Sequence, residues 1–427
     1  MLYTAYELGY AAISPARIAA GIGARMWRSP FNPIADSWLA RTAAASLDMF
    51  EHASRRYPRP EWKIEETVIG GVPAAVEVET VLHKDFGDLV HFRRDEDAVK
   101  AGGGEADPKV LIVAPLSGHY ATLLRGTVEA MLPSHDVYIT DWIDARHVPI
   151  IAGRFDLNTY IDYVMDFLRE IGPGAHAIAV CQPGPAVLSA AAVLAEENDP
   201  ARPSTLTIMG SPIDARRSPT VPNLLAQERP FEWFESNMIH TVPAPYAGML
   251  RRVYPGFIQL YSFLSMNSDR HVNAHYDYFE HLVTGDGDSA DKHRQFYDEY
   301  LSVMDMTEEF YLQTISEVFQ KHSLPKGELM HNGRKVRPDA MRDIGLMTVE
   351  GERDDISGIG QTQAAHDLCV NIPDRMKIDY VQEGVGHYGV FNGSRWRKEI
   401  QPKVQEFIRA HDRNVRGRQH LKLVAQS

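Results

Sequence analysis

Cysteine is nearly absent: the 427 residues contain two, Cys181 and Cys369. Neither belongs to a Cys-x-x-Cys pair. A disulfide framework and a thiolate zinc site are therefore excluded, and reduced thiols in a reducing compartment are expected. Positive charge is in deficit, with 44 Lys and Arg against 57 Asp and Glu and a net charge of −13. The chain lacks the basic footprint that phosphate backbones require, so nucleic acid is excluded as its main partner. Long apolar runs are missing too. No stretch reaches the ~18 uninterrupted apolar residues of a membrane-spanning helix. The opening Met1-Leu2-Tyr3-Thr4-Ala5-Tyr6-Glu7 has no basic stretch, and Glu7 interrupts its apolar run, so no signal peptide and a cytoplasmic location are expected. No internal repeat or low-complexity segment is present.

What is there is an ordinary globular composition, 44% hydrophobic and 24% charged. A chain of this length buries a large core, as one domain with an insertion or as two domains. Residues 1–62 read as a helical extension broken at Pro15, Pro30 and Pro33, with apolar residues of 35–55 at helical spacing (Trp38, Leu39, Leu47, Phe50). From Thr67 to Phe92 the pattern alternates with period two, as in Val76-Glu77-Val78-Glu79-Thr80-Val81, which predicts antiparallel strands. The polar stretch from Arg94 to Pro108 predicts an exposed loop.

Buried strands then alternate with helix-length segments: Val110 to Ala114, Val137 to Thr140, Ala177 to Val180 and Thr205 to Met209. This predicts a mostly parallel sheet covered on both faces. The alternation stops at about Ala215. A segment rich in aromatics follows (Phe231, Trp233, Phe234, Tyr254, Phe257, Tyr261, Phe263), with a helix expected from Asp291 to Gln320. Strand signals return at Ile344 to Val349 and Lys377 to Val381. The expected division is a core in two parts, 63–214 and 341–427, interrupted by an inserted cap over 215–340.

In such a sheet, ligands sit at the carboxyl ends of the strands. Ala179-Val180-Cys181-Gln182-Pro183 places Cys181 at a strand-to-helix junction, where a nucleophile elbow (usually G-x-S-x-G) would hold it exposed. Unpaired N–H groups at the helix start favour the thiolate there. Two later strands end in chemistry as well. One leads into Glu350-Gly351-Glu352-Arg353-Asp354-Asp355, the other into Gly384-Val385-Gly386-His387. Nucleophile, acid and base thus occur in the chain order of the α/β-hydrolase fold, an α/β class. His387 would take and return the proton of Cys181, and Asp354 would hold the imidazole tautomer, with Asp355 as the alternative acid. The oxyanion hole would combine the backbone N–H of Gln182 with that of Leu116 or Ser117 in the loop after the first parallel strand. His119, His135 and His147 have no metal-ligand spacing, so no metal and no cofactor are expected.

The chain resembles the intracellular polyhydroxyalkanoate (poly-3-hydroxybutyrate) depolymerases, relatives of the polymer synthases. The resemblance is carried by the opening residues Met1 to Glu7, by Val180-Cys181-Gln182-Pro183-Gly184, by Thr348 to Ile356, and by Gly386-His387-Tyr388-Gly389-Val390-Phe391-Asn392-Gly393. It implies Cys181, Asp354 and His387 as the triad, a 3-hydroxyacyl ester substrate, a thioester intermediate and a place on cytoplasmic storage granules. Ala179 and Pro183, in place of the elbow glycines, depart from the wider hydrolase pattern and fit this subfamily. Coenzyme A in place of water as acyl acceptor, and a homodimer, are left open by the sequence. A polyhydroxyalkanoate synthase is the alternative, although Pro183 stands where synthases usually carry glycine. A non-catalytic granule-coat protein on the same fold is a second alternative. The cap aromatics suit an apolar polymer, and the N-terminal helices suit either a granule surface or packing on the sheet.

Overall fold

The computed structural model describes residues 2–266, 268–284 and 286–412. Among the described residues fourteen strands are present: β1 (Glu66–Ile69), β2 (Val72–Lys84), β3 (Gly87–Arg94), β4 (Lys109–Val113), β5 (Asp136–Trp142), β6 (His176–Val180), β7 (Thr205–Met209), β8 (His240–Thr241), β9 (Arg252–Tyr254), β10 (Met306–Thr307), β11 (Met330–His331), β12 (Arg334–Lys335), β13 (Gly345–Gly351) and β14 (Lys377–Gln382). Nine of them form the main sheet in the order β1-β2-β3-β5-β4-β6-β7-β13-β14. The β1–β2, β2–β3 and β3–β5 pairs are antiparallel. All later neighbours are parallel.

Burial follows from this order. β2, near the edge, alternates exposed and buried residues over much of its length, whereas every residue of β6, β7 and β13 is buried. Strands covered by helices on both faces read as continuous apolar runs. The helix Leu157–Ile171 begins at Asp156, whose carboxylate accepts the Thr159 N–H (2.9 Å), and stops at Gly172, where φ is +89°. The alanine-rich helix Gly184–Glu196 is buried along nearly its whole length. This is the α/β-hydrolase architecture expected above, with the turn after central strand β6 free to present a nucleophile.

Three local expectations are corrected. Pro15 does not break the first helix: α1 runs unbroken over Leu2–Trp27 with Pro15 inside it. A proline removes one i→i−4 bond, and packing of α1 against α2 (Trp38–Ser54), where the Arg17 guanidinium donates to Ser54 O at 2.8 Å, keeps the helix going. The stretch from Arg94 to Pro108 is not an open loop. Asp95 caps a helix over Glu96–Ala101, and Arg94 is buried in an ion pair with Asp107 (2.8 Å). The helix expected from Asp291 to Gln320 is two, Gly287–Tyr300 and Glu308–Thr314, the latter running on to Gln320 as a π-turn. Between them the chain is pulled straight. The Met304 N–H bonds to Gly118 O (2.8 Å), the Asp305 N–H to Asp144 Oδ1 (3.1 Å), and β10 pairs with β9.

Residues 215–340 lie between the adjacent strands β7 and β13. The N-terminal helices dock on this segment as well as on each other. The Tyr3 hydroxyl donates to Asp305 Oδ2 at 2.6 Å, Tyr6 stacks on Phe257 with centroids 4.0 Å apart, and Asp48 of α2 accepts from Tyr278 (2.9 Å) and Arg294 (2.7 Å). Of the aromatics in the segment, Phe234 and Tyr254 are buried and Tyr261 is exposed, while the Phe263 side chain lies outside the described residues. Residues 413–427 of the expected second core part lie outside them too. Among the described residues no helix is both long and apolar enough to cross a membrane.

The Tyr3–Asp305 bond is sealed from solvent, and burial together with the charge of Asp144 pushes Asp305 up to about 7. Tyr3→Phe deletes the donor and leaves the carboxyl group short of a partner. The expected outcome is a loss of roughly 1.5–3 kcal/mol in the free energy of urea unfolding. An unchanged midpoint would show that α1 is not held through this contact.

Candidate active site

β6 ends at Val180, and the next residue, Cys181, has φ +66°. A non-glycine residue in the left-handed region costs of order 1–3 kcal/mol and persists only where its surroundings impose it. Here the restraints can be named. The Cys181 N–H continues the β6–β7 ladder to Met209 O (2.8 Å), and the Cys181 carbonyl accepts from the Ser211 hydroxyl. Gly184 lies so close that a Cβ there would fall 2.5 Å from Ser211 Cβ, so the elbow closes only around a residue without a side chain. Pro183 caps the following helix and Pro185 sits in its first turn, where a missing N–H costs nothing.

Asp354 lies beyond β13. Its Oδ1 accepts the N–H groups of Ile356 (2.9 Å) and Ser357 (2.8 Å), and its Oδ2 accepts from His387 Nδ1 at 2.8 Å. The Asp354 side chain has no exposure and that of His387 5%. Asp355 points outward, so of the two candidate acids Asp354 is the one at the imidazole. His387 Nε2 is buried and meets no hydrogen-bond partner among the described residues, while Cys181 lies near enough for its charge to act on the ring. Burial alone would depress the imidazolium. The charges of Cys181 and Asp354 outweigh it and hold His387 well above its ordinary value. Cys369 makes the contrast: it is sealed in the core, and burial pushes its thiol up to about 12.

Of the predicted oxyanion donors, Leu116 and Gln182 are in direct contact: the Leu116 N–H donates to the Gln182 side-chain Oε1 at 3.2 Å. Among the described residues the N–H groups of Gln182 and Ser117 meet no acceptor. The other histidines lie apart. His119 and His135 are buried against the carbonyls of Tyr300 (3.0 Å) and Met131 (3.1 Å), and burial lowers each to about 4. His147 packs edge-on to Tyr246. Among the described residues no cluster of three or more His, Cys, Asp or Glu could hold a metal.

Several residues of the site escaped the sequence reading. Glu350, fully buried at the end of β13, accepts the N–H groups of Gly360 (2.8 Å), Thr362 (2.7 Å) and Gln363 (3.1 Å). Thr362 in turn exchanges two hydrogen bonds with the Ser211 backbone. A chain of bonds thus runs from the loop that follows Asp354 to the carbonyl of Cys181. Gly210 has φ +55°, and a Cβ there would come within 3.2–3.3 Å of His387 and Asp354. Tyr388 stands beside His387 with its ring 6.3 Å from Tyr300 of the inserted segment. The acidic Glu350 closing an apolar strand was the one legible sign among these.

A family profile described as PHB de-polymerase C-terminus matches residues 210–412. The match bears out the resemblance read from the motifs over a span that holds Asp354 and His387 and begins after Cys181. No curated protein matches. Among solved structures, a soluble variant of monoglyceride lipase from Saccharomyces cerevisiae is 12% identical, with 83% of this chain and 99% of that one covered and a TM-score of 0.45. A putative lipase from Acinetobacter baumannii AYE is 13% identical (78% and 92%, TM-score 0.39). A monoacylglycerol lipase from Paleococcus ferrophilus is 12% identical (71% and 96%, TM-score 0.40).

Two anionic partners raise the His387 titration against burial, so removing one lowers it. Asp354→Asn is expected to move the His387 ring titration, followed by its Cε1–H resonance in NMR, to lower pH. The linkage has a definite sign. The stability supplied by the paired imidazolium is fully present below the unfolded value near 6.5 and is lost as pH rises through the higher folded value. The variant should therefore show a flatter fall in stability above about pH 6.5. An unmoved titration would mean that Asp354 does not govern the ring.

Proposed function

We propose that this protein is an intracellular depolymerase that cleaves the ester bonds of poly-3-hydroxybutyrate in cytoplasmic storage granules, with Cys181 as nucleophile, His387 as base and acid, and Asp354 as the group that orients the imidazole. The observation that carries the reading is the His387–Asp354 bond of 2.8 Å, on an imidazole whose charged form is also favoured by Cys181, a cysteine in a left-handed turn. The depolymerase C-terminal domain supports an ester substrate, and the polymer is its hydroxyalkanoate form.

The steps follow from the roles. Cys181 Sγ, its proton held by His387, attacks the ester carbonyl carbon, and the carbonyl π pair becomes an oxyanion. The N–H of Gln182 and that of Leu116 or Ser117 receive it. When the oxyanion collapses, the carbon–oxygen ester bond breaks. The departing alkoxide, a shortened polymer end, takes the proton from His387 Nε2 and leaves a 3-hydroxybutyryl thioester. Water then gives a proton to His387 and attacks the thioester, and the sulfur leaves with its electron pair. Coenzyme A in place of water would yield the acyl-CoA instead. The same reading keeps 215–340 as a cap over the site, with Tyr300 and Tyr388 at its mouth.

The decisive experiment is release of soluble acid from amorphous poly-3-hydroxybutyrate. Cys181→Ala is expected to lose roughly 10³-fold or more in kcat, as nucleophile deletions do. Cys181→Ser should also fall steeply, because a hydroxyl is a poor replacement in a site built for sulfur. Incubation with 3-hydroxybutyryl-CoA forms the second arm. Polymer growth there would point to a synthase, and full cellular function of Cys181→Ala would point to a granule-coat protein.

A further inference from the structure

One of the loop donors available to an oxyanion is already in use. The Leu116 N–H, in the turn after β4, donates at 3.2 Å to Oε1 of Gln182, the residue that follows Cys181. A carboxamide oxygen is an sp² acceptor with two lone pairs, the same kind of acceptor as an ester carbonyl. It holds the place on Leu116 that an ester oxygen, and then an oxyanion, would take. Meanwhile the Gln182 and Ser117 N–H groups meet no acceptor among the described residues, so the site is half closed by its own side chain.

We propose that the Gln182 side chain is an internal stand-in for the substrate's carbonyl oxygen: it occupies the Leu116 donor while the site is empty and is displaced by the acyl group of an arriving ester or thioester. The inference deepens the reading of Cys181 as nucleophile and rests on it. Gln182 acts through Leu116 and is a positioning residue. Its displacement costs ground state and transition state alike, so its removal should lower KM.

The rival role is a brace that simply supports the loop, and it orders the variants in the opposite way. The probe is an alkyl trifluoromethyl ketone followed by ¹⁹F NMR. Cys181 Sγ bonds to its carbonyl carbon, the π pair becomes an alkoxide, and the thiol proton stays on His387. Gln182→Ala is expected to bind it about fivefold more tightly, which is about 1 kcal/mol, the net worth of one neutral hydrogen bond. Gln182→Glu is expected to bind it at least about tenfold more weakly at pH 8. Its carboxylate holds the same N–H by a charge-assisted bond, repels the alkoxide, and is relieved as pH falls toward the ordinary glutamate range near 4.3. Weaker binding by Gln182→Ala with Gln182→Glu equal to the wild type would overturn the stand-in, as would equal binding by all three or no adduct at all. The expected ketone order with intact amorphous polymer would remove the depolymerase reading and keep the stand-in. Polymer cleavage with the reversed order would do the opposite.

Discussion

The arrangement depends on one residue held where its backbone does not rest comfortably. Cys181 at φ +66° turns the chain from β6 into a helix within a few residues. The strain is carried by β7: its last carbonyl takes the Cys181 N–H, and Ser211, just beyond it, grips the Cys181 carbonyl. The parallel sheet is thus more than a platform. Two adjacent strands, both buried on both faces, fix the conformation of the turn between them and the helix.

Charge is organised around the same point. The His387 imidazole is acted on by the charges of Cys181 and Asp354, and among the described residues no lysine or arginine bonds to it. Asp354 is stabilised by backbone N–H groups, and Glu350, within β13, is treated in the same way. Carboxylates solvated by fixed peptide dipoles keep their place without a counter-ion that could compete for His387. The bonds from Glu350 through Thr362 to Ser211 then tie the loop after Asp354 to the turn at Cys181, so both are placed by one connected structure.

The inserted segment has a second set of anchors. Its buried carboxyl Asp305 is held by Tyr3 of the first helix and by the Gly256 N–H (2.9 Å), while Asp144 beside it is paired with Arg146 (2.6 Å). The first helix is therefore joined to the segment whose Tyr300 approaches Tyr388 at the active site. The N-terminal extension and the segment that carries Tyr300 are mechanically linked through packed aromatics and buried polar bonds, which have few intermediate arrangements.

Much of this was legible along the chain. Runs such as Ala177 to Val180 and Thr205 to Met209 announce strands buried on both faces, because period-two and continuous apolar patterns report directly on burial. Cys181, Asp354 and His387 stand out because each follows such a run. What could not be read is what depends on partners distant in sequence. The first helix continues through Pro15 because α2 packs against it, and residues 304–307 leave the helix because Gly118, Asp144 and β9 hold them. The choice of Asp354 over Asp355, the grip of Ser211 on the elbow and the contact of Gln182 with Leu116 are likewise decided only when strands far apart in the chain lie side by side. Local patterns determine which residues are buried and where chains turn. Which groups bond to one another is decided by tertiary structure, since a hydrogen bond needs its donor and acceptor within about 3 Å and sequence order does not encode that distance.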